Sequence, residues 1–574
     1  MSCDFISEFR RLSKMSSEAV ENLESFSELK EYLHVHRNTE DDFKALLSKV
    51  RSVAHKQLIL VCGSAGDGKS HLLSYLKHMD PEQPLDSYDV INDATESNAP
   101  KETAIETLAV KISAFNDDNI GDGGNEKVVL AINLGMLNNF VDSQVGAKFT
   151  ILKTYIQKNN IFSVMPSQPI DANSFFQHID FSDYQLFSLT ENGTTSSYLS
   201  DLIAKVFAAK SENPFYQSYL KCDACPQHAH CPVKNNFEFL MGKGVQDVLI
   251  QRIIEVCIKE KWVVTSRDVL NFLFDITIPS DFDGNKLWKT LSKPLSFLEA
   301  YISYTTPMLM FSNIGTSSLL DRVATNIEKS GVIQERDTAV LDFYATEDVS
   351  PLVSTLLSNG VYKKVVVSSP LALIDNALDD QKKYLFKFLM NYQLLTDNSI
   401  LEKDIVYSGF IKDLYYSLRG EKGKLKSLYT SVKESIYAWD GVYGDDLICI
   451  DDTDDQFTIL EQLSIKPDVV SGTQANEFYQ FSPVINVGFR NDSGTDCVRI
   501  GLDYSLYQLV MNMKHGYMPT AQDRNTHTEF ASNIRALTDF GTKKSKILIV
   551  SKKPNSIKRF VFEENDFGFG FKEI

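Results

Sequence analysis

Apolar and polar residues change period along this chain, and the changes predict its elements. Residues 1–55 are polar and helix-like, rich in Glu, Lys and Ser. At Gln57 the pattern switches to QLILVC (57–62), a short apolar run closed by glycine, which predicts a buried strand. HLLSYLKHM, after Ser70, has helical character. YDVIN (88–92) predicts a second strand. Ile105, Leu108, Ala109 and Ile112 recur at helical spacing and predict a helix over 102–115. KVVLAIN (127–133) predicts a third strand, a helical stretch over 136–158 follows, and YQLFSLT (184–190) predicts a fourth strand. Strands alternating with helices imply a parallel sheet with crossover helices.

Residues 240–345 read as helical, with Val245, Leu249, Ile253 and Val256 on one face. From 346 onward helices mix with short strands, KKVVVSS (363–369) and KILIVS (546–551) among them. The expected division is an N-terminal helical segment (1–55), an α/β core (56–239), a helical region (240–345) and an α+β domain (346–574). There is no internal repeat and no low-complexity linker.

Gly63-Ser64-Ala65-Gly66-Asp67-Gly68-Lys69-Ser70 fills the pattern G-x-x-x-x-G-K-[ST] in full, between a predicted strand and a predicted helix. Glycines let backbone N–H groups curl around an anion, and the following helix N-terminus adds a favourable dipole. The expected ligand is ATP with Mg²⁺. Lys69 would reach the β- and γ-phosphates, and the Ser70 hydroxyl would sit on the metal. Hydrolysis needs a metal-orienting carboxylate and a group that positions water. No run of four apolar residues ending in Asp-Glu is present. Asp93, directly after the strand 88–92, is the best substitute, with Glu96 as base. The same residues suit a surface turn capping the helix 102–115.

Asn133 ends KVVLAIN, where P-loop ATPases of the AAA+ type hold a polar residue facing the γ-phosphate. It also suits a turn before Gly135. TSRDVLNFL (265–273) resembles the opening of a lid helix in that superfamily, with Arg267 as the arginine that closes over phosphates, or as a solvated residue of a capped helix. The fold class expected is therefore α/β, an AAA+-like P-loop NTPase core with a helical lid region and a C-terminal α+β domain.

Cys222, Cys225 and Cys231 stand in C-x₂-C-x₅-C, with His228 and His230 inside the loop. Such spacing chelates one ion from a tight turn. A structural Zn²⁺ is expected, its fourth ligand being His228, His230 or a remote residue. An Fe–S cluster and three free thiols are the alternatives.

Composition adds limits. In 574 residues, 43% are hydrophobic, enough for large cores. No run of 18 apolar residues occurs, so no membrane span is expected. The opening MSCDFISEFRRLSKMSS has no apolar h-region, so no signal peptide is expected, and eight sparse cysteines suit a reducing cytoplasm. The net charge of −18 argues against broad nucleic-acid coating. Basic residues crowd two stretches, Lys422, Lys424 and Lys426, and Lys543, Lys544, Lys546, Lys552, Lys553, Lys558 and Arg559. These suit a local DNA or partner contact, or the lysines that blunt a strand edge.

Taken together, GSAGDGKSHLL (63–73), INDATES (91–97), CDACPQHAHCP (222–232) and the tail from GYMPTAQDRNTHTEF (516–530) to FEENDFGFGFKE (562–573) resemble the DptF family. The likeness covers nearly the whole chain. It implies the ATPase component of a bacterial restriction system acting on DNA that lacks phosphorothioate modification. Partners would be DptG- and DptH-like subunits, with DNA met through the complex and a homo-oligomer possible. The ATPase role carries over to Lys69 and Ser70, then to Asp93, Glu96, Asn133 and Arg267. The competing expectations are a non-hydrolysing nucleotide-dependent assembly module and an AAA+ or STAND-like ATPase of another defence system. No nuclease motif is visible, so DNA cleavage by this chain alone is not expected.

Overall fold

The computed structural model describes residues 3–14, 16, 26–64, 67–92, 103–161, 173–311, 317–329, 334–346, 348–357, 360–368, 379–396, 404–443, 447–451, 457–491, 493–540, 542–551, 559–565 and 568–573. The chain forms a mixed α/β structure. Its first sheet holds β1 (Gln57–Cys62), β2 (Asp89–Ile91), β3 (Lys127–Ala131) and β4 (Phe176–Asp180), all parallel, in the order β2-β3-β1-β4.

Every residue of β1 is buried, as an inner strand covered on both faces requires. Side chains alternate between the faces, so one apolar run feeds two cores. Leu58, Leu60 and Cys62 pack with Leu108, Leu137, Phe140 and Leu152, from the helices Ala104–Lys111, Leu134–Asp142 and Thr150–Lys158. Ile59 and Val61 pack with Phe43, Leu46, Leu72 and Leu76, from the helices Asn38–Arg51 and Lys69–His78. The stretch expected as one helix over 136–158 is two, parted by a short 3₁₀ turn at Gly146–Lys148.

The strand expected at 184–190 exists as β5 (Tyr184–Thr190), but it lies outside the parallel sheet. It pairs antiparallel with β6 (Gly193–Thr195) and with β10 (Glu477–Gln480). The fourth place beside β1 belongs to FQHID, whose polar residues disguise it. Gln177 is buried against Gln57, and the His178 ring meets the Tyr155 hydroxyl at 2.8 Å.

The helical region is built around Lys243–Lys259 and Ser266–Thr277. The first is buried on more than the one face its periodicity marks, for Val248, Ile250 and Ile254 are covered as well as Val245, Leu249, Ile253 and Val256. The same core takes in Phe5 and Phe9 from the helix Asp4–Phe9.

One expected strand is a helix. KKVVVSS falls mostly within Gly360–Val367, where Tyr362, Val365 and Val366 share a buried stripe. Helical spacing of these three against a core outweighs the β-preference of consecutive valines.

Toward the C-terminus β9 (Lys466–Pro467), β11 (Ile485–Arg490) and β12 (Cys497–Leu502) form one antiparallel sheet. A larger one is ordered β15-β14-β13-β8-β7, from β7 (Leu447–Asp451), β8 (Phe457–Ser464), β13 (Thr542–Ser551), β14 (Arg559–Asn565) and β15 (Gly568–Glu573). KILIVS lies in β13 as expected, flanked on both sides. Among the described residues no helix is long and apolar enough to cross a membrane.

Candidate phosphate-binding site

The sequence of β1 ends at Cys62, and the helix Lys69–His78 begins within the next turn of chain. Two glycines make that turn possible. Gly63 has φ +144° and Gly68 has φ +89°, both in the region L side chains rarely adopt. A Cβ on Gly63 would lie 2.5 Å from the Asp67 carboxylate, and one on Gly68 would lie 2.5 Å from the Arg37 guanidinium. Gly68 is the helix N-cap and offers no side chain, so none caps the first N–H groups of the helix. Ala65 and Gly66, inside the loop, lie outside the described residues, as do Asp93 and Glu96.

Lys69 Nζ donates to the Ser64 carbonyl at 2.5 Å. Burial lowers its pKa, while Asp67, Cys62 and Asp180 favour its charge. The Ser64 N–H donates to the Asp67 carboxylate, which folds back into the loop. Burial raises the Asp67 pKa, partly offset by Lys69, and Asp67 Oδ1 is buried with no hydrogen-bond partner among the described residues. Ser70 stands in the first helical turn.

Strand order determines what borders the loop. In an open α/β sheet ligands bind beyond the carboxyl ends of the strands, where the strand order reverses. Here β3 and β4 flank β1, and the chain crosses from one side to the other between them. Asn133, beyond β3, caps the helix Leu134–Asp142, its side-chain oxygen accepting from the Met136 N–H at 2.7 Å. Asn133 thus opens this helix before Gly135, with its amide nitrogen not used in that cap. Asn92, at the end of β2, has a buried, unpartnered Oδ1 among the described residues on the same edge of the sheet.

Two acids that the sequence pattern did not single out come from the end of β4 and from the 3₁₀ turn Phe181–Asp183 that follows it. Asp180 pairs in register with Cys62, and its Oδ1 accepts from the Ser182 N–H at 2.9 Å. Burial raises its pKa, with Lys69 opposing. Asp183 is pushed up to about 7 by burial and by Asp180. Both acids line a cavity of about 360 Å³ whose other walls include Leu134, Lys261 and Trp262. A strand-ending aspartate was the available signal, hidden by the polar middle of FQHID.

Arg37 was also missed, and no local pattern marks it. Its guanidinium donates to the Asp67 carbonyl at 3.1 Å and lies over the Tyr198 ring at 5.4 Å. The Tyr198 hydroxyl meets Ser266 Oγ at 2.6 Å, at the start of the helix that carries Arg267. None of the described contacts joins Arg267 itself to the loop.

No known family, curated protein or solved structure matches the chain. The reading of this site therefore rests on its own geometry.

The cysteine turn lies elsewhere, on the helical body. Cys222 is in the 3₁₀ turn Lys221–Ala224, Cys225 closes that turn, and Cys231 caps the helix Pro232–Leu240. His228 Nδ1 donates to the Cys225 carbonyl at 2.8 Å, and the His230 ring packs edge-on against Phe297 at 5.8 Å. Among the described residues no three His, Cys, Asp or Glu side chains stand in ligating geometry. The expected ligands Cys222, Cys225, Cys231 and His228 thus share one turn without being closed on a common point.

Proposed function

We propose that this chain binds ATP with Mg²⁺ through Gly63–Ser70 and acts as the ATP-dependent component of a multi-subunit restriction system directed at DNA lacking phosphorothioate modification. Gly68 carries the nucleotide half of this reading. Its left-handed backbone presents an uncapped helix end directly before Lys69, at the carboxyl end of an inner parallel strand. The residues suit the group. Lys69 supplies the cation for phosphate oxygens and the Ser70 hydroxyl a metal ligand. Asp67 Oδ1, unpartnered among the described residues, marks a polar position at the loop. Bound Mg²⁺ would neutralise phosphate charge; Asp180 is the carboxylate we assign to orient it, with Asp183 beside it as a proton acceptor. Asp93, Glu96, the Asn133 amide and Arg267 remain further candidates for the same chemistry.

The restriction half rests on the sequence resemblance, and DptG- and DptH-like partners belong to it. The net charge of −18 supports action through protein contacts, since phosphate neutralisation across many contacts needs a basic face. Purified chain with ATP, Mg²⁺ and unmodified plasmid tests the proposal. Turnover that rises when partner subunits are added, with the plasmid intact when the chain is alone, is the expected result. Cleavage by the chain alone that survives stringent purification and disappears in a variant of this chain would overturn it.

A second reading is a nucleotide-dependent assembly module that does not hydrolyse. The commitment of the Asn133 side-chain oxygen to a helix cap favours it. Tight ATP binding with no turnover under any partner condition would select this alternative.

A further inference from the structure

The cysteine turn offers three thiols where a tetrahedral zinc site takes four ligands. The helix that Cys3 opens packs directly against the 3₁₀ turn Lys221–Ala224 that holds Cys222. Cys3 caps the helix Asp4–Phe9. The Phe5 ring packs against Tyr219 at 6.2 Å and Phe237 at 5.3 Å, and Phe9 packs against Phe237 at 6.0 Å. Tyr219 lies just before Cys222, and Phe237 lies in the helix that Cys231 caps. The aromatic contacts therefore clamp the start of the Cys3 helix onto both arms of the cysteine turn.

We propose that Cys3, Cys222, Cys225 and Cys231 together bind one Zn²⁺, with Cys3 rather than His228 as the fourth ligand. The proposal rests on reading the C-x₂-C-x₅-C turn as a metal site and adds the residue that completes it.

The thiols also lie near one another: Cys3, Cys231 and Cys225 are each close enough to Cys222 to act on its sulfur. Cys3 and Cys225 lie close to Cys231 in the same way, and the Cys231 sulfur accepts from the peptide N–H groups of Val233 and Lys234. Such N–H groups, with the Lys234 cation near Cys222, are the outer partners that a four-thiolate zinc centre needs to offset its negative charge. Metal binding releases the thiol protons, so affinity rises with pH. In the conformation described the thiols are not closed on a common point, so the proposal requires the cysteine side chains to turn to other staggered rotamers when the ion binds. The His228 bond to the Cys225 carbonyl commits only one ring nitrogen, so His228→Ala is the variant that separates His228 from Cys3 as fourth ligand. A zinc so held would pin the N-terminal helix to the helical body.

The test is metal content of the full chain, purified without chelator and then dialysed against a mild one. Wild type and His228→Ala should each keep about one zinc per chain. Cys3→Ser, a change at an exposed residue, should weaken zinc at least about ten-fold, the smallest loss typical even of outer partners. Its far-ultraviolet circular dichroism should be unchanged. Cobalt substitution gives a second readout, since the thiolate-to-metal band should fall by about one quarter when one of four thiolates is lost. Zinc retained by Cys3→Ser as in wild type, or lost from His228→Ala instead, would overturn the Cys3 assignment alone. Wild type holding no zinc and taking up no cobalt, or carrying iron and sulfide instead, would overturn the zinc reading of the turn as well.

Discussion

The loop Gly63–Ser70 and the turn around Cys222 both suit a charged guest, and they are built from different material. The loop is made of backbone. Its shape comes from two glycines in left-handed conformations and from a helix end left without a side-chain cap. The turn is made of side chains on and beside two short 3₁₀ segments, and the fourth thiol we propose for it opens a helix far away in sequence. A backbone site needs only contiguous residues that permit its conformation. A side-chain site needs the tertiary structure to deliver its parts.

The difference can be broken or sharpened by experiment, beginning with the largest effect. Asp67 and Asp180 act on Lys69 at the loop, with Asp183 beside Asp180, so a triphosphate entering without a divalent cation meets like charge. Removing Mg²⁺ should weaken ATP binding by about 100-fold or more, since one like-charge pair near the surface at contact distance costs about 4 kcal/mol. Competition with a fluorescent ATP analogue in EDTA checks this.

Gly68→Ala should come next. It forces alanine to φ +89° and sets its Cβ 2.5 Å from Arg37. The strain alone is worth about 1 kcal/mol or more, readable in the urea midpoint, with ATP affinity down by about ten-fold. Adding Arg37→Ala should relieve the collision and leave the strain, so stability should recover only in part.

A smaller effect concerns pH. Asp183 is raised from its ordinary 3.8 to about 7, so the folded state favours its protonated form. Its contribution to stability is full below pH 3.8 and is lost as pH rises through about 7. Melting temperature should therefore decline between those limits, and Asp183→Asn should flatten the decline.

The smallest expected effect is a null one across the two regions. Cys225→Ser should remove the metal yet leave affinity for ATP with Mg²⁺ within about two-fold, a change below 0.5 kcal/mol. A large drop in affinity would show that the two sites are coupled.

What could be read from sequence follows the same division. QLILVC announced β1 because all six of its residues are buried and nothing polar interrupts them. FQHID did not announce β4, because Gln177 and His178 find their partners, Gln57 and Tyr155, inside the fold. Asp180 went unseen for the same reason. KKVVVSS looked like a strand until the packing of Tyr362, Val365 and Val366 imposed helical spacing. Arg37 carries no local signature at all, since it reaches the loop by contact with a segment remote in sequence, and the role proposed for Cys3 likewise depends on a turn far away in the chain. Asp93 and Glu96 lie outside the described residues.

The central claim is that Gly63–Ser70 holds a triphosphate, and titration calorimetry of ATP with Mg²⁺ into wild type and Lys69→Ala tests it most directly. The account predicts about one nucleotide per chain for wild type. It also predicts a loss of at least about 100-fold in the variant, because hydrogen bonds from a charged donor are worth about 1.5–3 kcal/mol each and Lys69 would make more than one to the phosphates. Circular dichroism of the variant should match wild type. Equal affinity in the two proteins, or no binding to either, would contradict it.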